Sequence, residues 1–155
     1  MSDFFSRIAT AVRGRTSSAA VAAGYVGEVL SDTATSAPSL TTTNVAAAAS
    51  KSFTAGTWLI WGGADVAASG SNLTQAIVAV GSSTDTSSGT ALPSGRGKGT
   101  TIGSFGSGSS SDFTINSPPI LVTLSAATTY YTVARATFAT GTATATGYIT
   151  GVRVA

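Results

Sequence analysis

The last third of the chain constrains the fold most, because it consists of three β-type runs separated by short turns. The runs span residues 118–124, 130–138 and 144–154, and the last one reaches almost to the final residue. An isolated hairpin is only marginally stable in water, so these strands need partners from earlier in the chain. The preceding residues are therefore expected to supply the sheets that the closing strands complete.

The composition favours a folded β domain with small side chains. Only 9% of the 155 residues are charged, and Thr, Ser, Ala and Gly are abundant. Disordered segments combine high charge with few β-branched and aromatic residues, whereas here such residues recur at intervals suited to short strands. The chain is long enough to bury one core. Its low charge gives little protection against self-association, which suits a surface that is covered by copies of the chain or by a partner.

The N-terminal residues show the period of an amphipathic helix. Phe4, Ile8 and Val12 are spaced four apart, Phe5 joins them, and Gly14 is a natural stop. A helix of about three turns is too short to be stable alone, so it needs a docking surface. These four apolar residues are the predicted partner-docking residues.

The basic character of the chain lies in this arm. Residues 1–16 hold three arginines against one aspartate, while the remainder balances five basic and five acidic residues. We therefore divide the chain into an anchoring arm at 1–16, a Ser/Ala-rich linker at 17–24 and a β domain at 25–155. The arm could pack on its own domain or its copies, dock into another protein of an assembly, or lie on a membrane or nucleic acid.

The β domain is predicted to open with strands at 25–30, 39–44 and 46–53. Residues 57–66 form the most apolar strand, with Trp58 and Ile60 on one face and Leu59 and Trp61 on the other. Large apolar groups on both faces predict a central strand, or one whose second face is covered by a neighbouring subunit. Core packing explains both tryptophans, and carbohydrate stacking is the alternative for one of them. The glycines that follow, 62 and 63, predict a bulge or a close backbone approach, and another strand is expected at 74–80.

Residues 82–116 are predicted to be irregular, interrupted by a strand near 100–105. The run Gly-Arg-Gly-Lys-Gly at 95–99 does not form a nucleotide loop, which requires Gly five residues before the Gly-Lys pair and Ser or Thr after the Lys. Leu92 and Gly99 occupy those places. We interpret the run as a mobile basic loop.

The closing strands have a period of two. In 130–138 the even-numbered residues are predicted to face the core, and the odd-numbered ones to meet solvent or a partner. In 144–154 the even-numbered residues again share one side, and Ile149 and Arg153 lie on the other. Arg135 and Arg153 are therefore predicted to be surface or intersubunit hydrogen-bonding groups on non-core faces.

The residues that catalysis needs are scarce. The chain has no cysteine and no histidine, so thiolate chemistry, the commonest general base and the commonest metal ligand are missing. The six acidic residues are scattered singly, and no nucleophile elbow or calcium loop occurs. The β domain has no basic stripe with interleaved aromatics, and no apolar run is long enough to span a membrane. We predict no enzyme activity, no catalytic residues, no cofactor, no metal, no nucleic-acid partner and no membrane insertion.

Recurring phrases mark the strands and turns of the β domain. They are GEVL at 27–30, SLTT at 39–42, FTAGTW at 53–58, LSAATTYY at 124–131 and GYITGVRV at 147–154. With this pattern, residues 25–154 resemble small virion structural proteins of tailed bacteriophages, namely the β domains of short fibres, spikes and receptor-binding proteins.

The resemblance implies an all-β fold, an antiparallel β-sandwich of jelly-roll type with a short N-terminal amphipathic helix, assembled as a homotrimer. It further implies a protein made in the host cytoplasm and placed in the virion, joined to other virion proteins through Phe4, Phe5, Ile8 and Val12. The loops within 82–116, with Arg96, Lys98 and Phe105, would contact a host-surface glycan or protein. The alternatives are a capsid decoration or cement protein that stabilises the head, and a carbohydrate-binding accessory module.

Overall fold

The computed structural model describes residues 20–34, 38–41, 46–69, 73–82, 98–102 and 111–155. These residues contain ten β-strands and no helix. The strands are β1 (Val29–Thr33), β2 (Ser39–Leu40), β3 (Ala46–Phe53), β4 (Gly56–Ser69), β5 (Leu73–Gly81), β6 (Lys98–Ile102), β7 (Ser111–Asn116), β8 (Ile120–Leu124), β9 (Thr128–Phe138) and β10 (Thr142–Arg153).

The strands form two antiparallel sheets. One runs β1-β10-β4-β7, with β2 added beside β10 and β8 beside β4, and the other runs β3-β9-β5-β6. Each sheet interleaves strands from the start and the end of the chain, so β9 and β10 lie inside sheets built from upstream strands. The prediction of an all-β antiparallel fold is confirmed. The predicted N-terminal helix lies outside the described residues.

The two sheets pack against each other over a core that changes character along its length. One end is built largely of small side chains, including Ala64, Ala76 and Ala145. The other end holds rings, with Phe53 edge-on to Trp58 at 5.1 Å between ring centroids and to Tyr130 at 6.2 Å. Burial raises the pKa of the Tyr130 hydroxyl. Small residues let backbones approach closely, while each large ring buries more apolar area than any small side chain.

The closest approach between the sheets depends on glycine. A Cβ added to Gly147 in β10 would lie 2.6 Å from the Cβ of Ala48 in β3, and one added to Gly62 in β4 would overlap the hydroxyl of Thr132 in β9. Thr132 reaches across this gap and donates its hydroxyl to the Tyr148 carbonyl of β10 at 2.7 Å. The close backbone approach predicted after the tryptophans is confirmed.

Four predicted segments differ from the observed ones. The strand predicted at 39–44 ends at Leu40, since Thr41 is not part of β2. The first strand begins at Val29 instead of residue 25, because Gly24 and Gly27 adopt φ of +85° and +90° and form turns before it. Residues 111–116, predicted to be irregular, form β7. Lys98, predicted to lie in a loop, begins β6 and pairs with Ala79 of β5.

The orientation of the last strand is opposite to the prediction. Ile149 and Arg153 face the core, at 0% and 5% exposure, whereas Tyr148 and Val152 point outward. The prediction that Arg153 is a surface or intersubunit group is therefore wrong. The inward positions of this strand include glycines that lie under Ala48 and Phe53, so its core side carries few large side chains.

The even-numbered residues of β9 face the core as predicted. The opposite face is more covered than expected, because Val133 is fully buried beside Ala79 and Tyr131 is half-buried against them. Arg135 and Thr137 on the same face are also half-buried.

Candidate interaction surface

One row of aliphatic side chains crosses the outward face of the six-stranded sheet. Val29 of β1 pairs with Val152 of β10, Val152 with Leu59 of β4, and Leu59 with Leu121 of β8. Residues directly opposite on neighbouring strands point to the same side of a sheet. All four side chains therefore line one face, and we call this set the aliphatic row.

The flanking rows on this face are uncharged. On one side, Trp61 pairs with Thr150, and Tyr148 beyond them donates its hydroxyl to Asn116 Oδ1 at 2.8 Å. On the other side, the hydroxyls of Thr57 and Thr123 lie 3.2 Å apart. In the described part of the chain, no Asp, Glu, Lys or Arg points outward between these flanking rows. We call this surface the outer face. It extends from the row that contains Thr57, across the aliphatic row, to the row that contains Tyr148.

Exposed apolar side chains gather on and beside the outer face. Within the described residues, the large apolar side chains that are exposed are Tyr25 (68%), Val26 (66%), Val29 (58%), Leu121 (61%) and Val154 (41%). Tyr25 and Val26 lie in the turn before β1, which is held to the end of β10 by the hydrogen bond from the Gly27 N–H to the Arg153 carbonyl, 2.8 Å. Exposed apolar side chains that gather on one face in this way favour an interaction site there.

The end of the outer face is held from beneath by Arg153. Its guanidinium donates to Glu28 Oε2 at 2.9 Å, to the Ala55 carbonyl at 2.6 Å and to the Thr54 hydroxyl, and it lies 4.5 Å from the centre of the Trp58 ring. These contacts join β10 to the turn before β1 and to the turn before β4. They fix the strands that carry Val29, Val152 and Leu59.

The surroundings of Glu28 favour its ionised form. The Gly24 N–H donates to its Oε2 at 2.8 Å and lowers the pKa of the carboxyl below the ordinary value of 4.5. Arg153 lowers the pKa further through its hydrogen bond and its charge, while burial acts in the opposite direction. The pair is buried, with side-chain exposures of 5% and 7%.

The same sheet becomes acidic beyond the outer face. Asp65 and Asp112 line a shallow depression with Thr114 and Thr146, and the Thr114 hydroxyl donates to Asp65 Oδ1. Across the residues that the structure describes, no three His, Cys, Asp or Glu side chains are grouped so that they could hold a metal ion. In the same residues no helix is long and apolar enough to cross a membrane.

The structure brings together residues that sequence reasoning treated separately. Phe4, Phe5, Ile8, Val12, Arg96 and Phe105 lie outside the described residues. Trp58 is a core residue, as predicted, whereas the core packing predicted for Trp61 is wrong, because Trp61 lies half-buried on the outer face beside the aliphatic row. The missed residues are Val29 and Leu121, because short alternating strands show which residues share a face but not which strands pair.

No protein-family model matches this sequence, and no curated protein matches it. Among solved structures, a chain in "Structure of infectious bursal disease virus Gx strain" is similar, with a TM-score of 0.47 and 13% sequence identity. The similarity covers 91% of this protein and 36% of that chain, so this protein spans about a third of its length. A likeness at this level carries no information about function.

Proposed function

We propose that this protein is a virion structural protein of a tailed bacteriophage, a trimeric fibre- or spike-like β domain that takes part in attachment to the host surface. The observation that carries the proposal is the outer face, where an uncharged sheet surface exposes Val29 and Leu121. Virion subunits are covered by their neighbours, so an apolar face of this kind suits a building block of a particle.

The topology supports the jelly-roll part of the proposal. A jelly roll is a double-sheet sandwich made of two Greek keys, in which early and late strands lie side by side. The orders β1-β10-β4-β7 and β3-β9-β5-β6 have this interleaving, with the first strand beside the last. Such a domain is a rigid carrier whose loops differ freely, which suits attachment to varied surfaces.

Anchoring and attachment are assigned to different parts of the chain. The arm at 1–16 joins the particle through Phe4, Phe5, Ile8 and Val12, whose spacing is that of one apolar helix face. The segment around Arg96, Lys98 and Phe105 contacts a glycan or protein of the host surface. This division rests on the sequence pattern and on the resemblance to phage fibre domains.

A capsid decoration protein is the second candidate function. The same uncharged face favours it, because a cement protein also packs its surface against neighbouring subunits. A carbohydrate-binding accessory module is less well supported. Trp58 is buried, which leaves Trp61 as the single outward tryptophan of the pair, and it is half-buried.

Binding of the purified full-length protein separates the first two candidates. The chain has no cysteine, so the variant Thr146→Cys carries one fluorescent label at an exposed position outside the outer face. We expect the labelled protein to bind cells of the host bacterium and to have the mass of a trimer in light scattering. Binding to assembled heads but not to cells would replace the attachment role by decoration, and binding to neither would overturn both.

A further inference from the structure

We infer that the outer face is where a second copy of this chain packs, with the aliphatic row at the centre of the contact. The inference rests on the proposed assembly of copies and assigns that assembly a surface. The row crosses four strands, and its two most exposed members, Val29 and Leu121, lie at opposite ends of it. Three strand spacings separate them, about 14 Å.

The charge distribution favours a second copy over a charged partner. The described residues of the outer face present no ionised side chain, so two copies meet there without like-charge repulsion. A strongly charged partner would find no complementary group on it. Depletion of charge at the centre of a patch, with aromatic residues beside it, is the composition of interface cores, and here Trp61 and Tyr148 flank the row.

Polar and charged groups lie around this surface. Thr57 and Thr123 border the row at one end, and the Tyr148 to Asn116 hydrogen bond borders it at the other. Asp65 follows one row further along β4. An apolar centre inside a polar rim is the usual arrangement of a protein interface.

The flat area of the outer face comes close to that of a specific contact. Four strands at about 4.8 Å spacing are about 19 Å wide, and the seven residues 148–154 are about 24 Å long, which makes a footprint of about 450 Å². Two copies thus bury about 900 Å² of flat sheet surface in total. The uneven surface of the side chains and the adjoining turn with Tyr25 and Val26 add to this area. Specific interfaces begin near 1,000 Å² in total.

A two-fold axis brings the same face of two copies together, whereas a three-fold axis brings two different parts of that face together. Closed homo-oligomers turn the same surface of each copy toward the axis or toward a neighbour. Two copies can stack the outer faces directly, and three can gather them around a three-fold axis. The inference therefore holds for a dimer or a trimer, whereas the proposed fibre function requires the trimer.

Light scattering of the full-length protein and of matched lysine variants tests the inference. We expect the wild type to be oligomeric, and Val29→Lys and Leu121→Lys to lower the mass to that of the monomer, because a lysine in the contact must lose its hydration. Both residues are exposed, so far-UV circular dichroism should stay that of the folded wild type. The control is Ser52→Lys, which lies at an exposed position of β3 in the other sheet, and it should keep the wild-type mass.

A milder variant gives a second measurement that does not require the lysine variants to fold. The single cysteine of Leu121→Cys should react with a thiol reagent at least tenfold more slowly in the oligomer than the cysteine of Ser52→Cys, which lies in the other sheet. Equal reaction rates in a sample shown to be oligomeric would overturn the inference.

The outcomes separate the two proposals. An oligomer whose mass survives both lysines contradicts the inference and leaves the proposed function standing. A dimer that the lysines dissociate supports the inference and contradicts the trimeric function. A wild type that is monomeric at every concentration contradicts both.

Discussion

Arg153 and Glu28 form a buried ion pair, with Nε and Oε2 2.9 Å apart, although 125 residues separate them in the chain. The pair joins the turn before the first strand to the end of the last one. Arg153 also donates to Ala55 and Thr54, so a single guanidinium links three segments that are distant in sequence. Such a contact forms only when both ends of the chain have reached their places in the same sheet.

Breaking this pair should destabilise the fold strongly. We expect Arg153→Met to lower the free energy of unfolding by about 3–5 kcal/mol, because it leaves the Glu28 carboxylate buried without its counter-charge. Glu28→Gln should cost much less on the Arg153→Met background than in the wild type. Chemical denaturation of the two single variants and the double variant measures this coupling. Additive costs would contradict a specific interaction between the two side chains.

Acid should weaken the fold through Glu28. Its pKa is lowered in the folded state, so its contribution to stability is fully present above the ordinary value of 4.5 and is lost as the pH falls through the folded pKa. We expect the difference in unfolding free energy between the wild type and Glu28→Gln to be constant from pH 7 to about pH 5 and to shrink below 4.5. Denaturation curves collected over this range for both proteins measure it. A difference that grows on acidification would show that the pKa is raised instead.

Gly147 should not tolerate a side chain. A methyl group there would meet the Cβ of Ala48 at 2.6 Å and its carbonyl carbon at 2.8 Å, and backbone atoms of the facing sheet cannot move aside like the end of a flexible side chain. We expect Gly147→Ala to cost about 1–3 kcal/mol, as overpacking does in other cores. Thermal unfolding beside the outward-facing control Thr146→Ala checks this. Equal stabilities would mean that the sheets are further apart at this point.

The two tryptophans should report two environments. Trp58 is fully buried, with its Nε1–H donating to the Thr54 carbonyl at 2.9 Å, whereas Trp61 is half-buried on the outer face. In the variant Trp61→Phe, the fluorescence of Trp58 should be blue-shifted and resist quenching by acrylamide. In Trp58→Phe, the fluorescence of Trp61 should be quenched more readily, and more so when the oligomer is diluted to monomer. Identical quenching constants would contradict the assigned faces.

Trp58→Ala should also destabilise the fold more than Trp61→Ala. Removal of a buried large side chain costs about 3–5 kcal/mol, while Trp61 loses only partly buried contacts. Unfolding free energies of the two alanine variants, taken at a concentration where the protein is monomeric, measure the difference. The reverse order would place Trp61 in the core.

Local pattern was enough to predict most of the strands. The segment 46–53 matches β3 in full, and the predicted strands at 57–66, 74–80 and 130–138 each lie within an observed strand, while the run predicted at 118–124 contains β8 and begins two residues too early. Alternation of apolar and polar residues is a local signal, so it survives without knowledge of the partners. It also placed Trp58 and Ile60 together on the buried face of β4.

The local sequence pattern predicted the wrong buried face where the inward residues are small or polar. In β10 the core side carries Gly147, Gly151 and Arg153, while Tyr148 and Val152 point outward, so hydrophobicity alone selects the wrong face. Gly147 is small because β3 passes directly over it. Arg153 is tolerated inside because Glu28, Thr54 and Ala55 satisfy it there. Both reasons depend on contacts between segments that are distant in the chain, and these contacts form only when the strands pair and the sheets pack.

The amino-acid sequence by itself determined that the described part of this protein is all-β, with a neutral body of small residues, since strand propensity, charge and alternation are properties of neighbouring residues. The tertiary structure alone decided which strands lie side by side, and through that register it aligned Val29, Val152, Leu59 and Leu121 into one row. Pairing between strands more than a hundred residues apart is set by the packing of the whole core and not by any local run. The candidate interaction surface is for this reason a property of the fold.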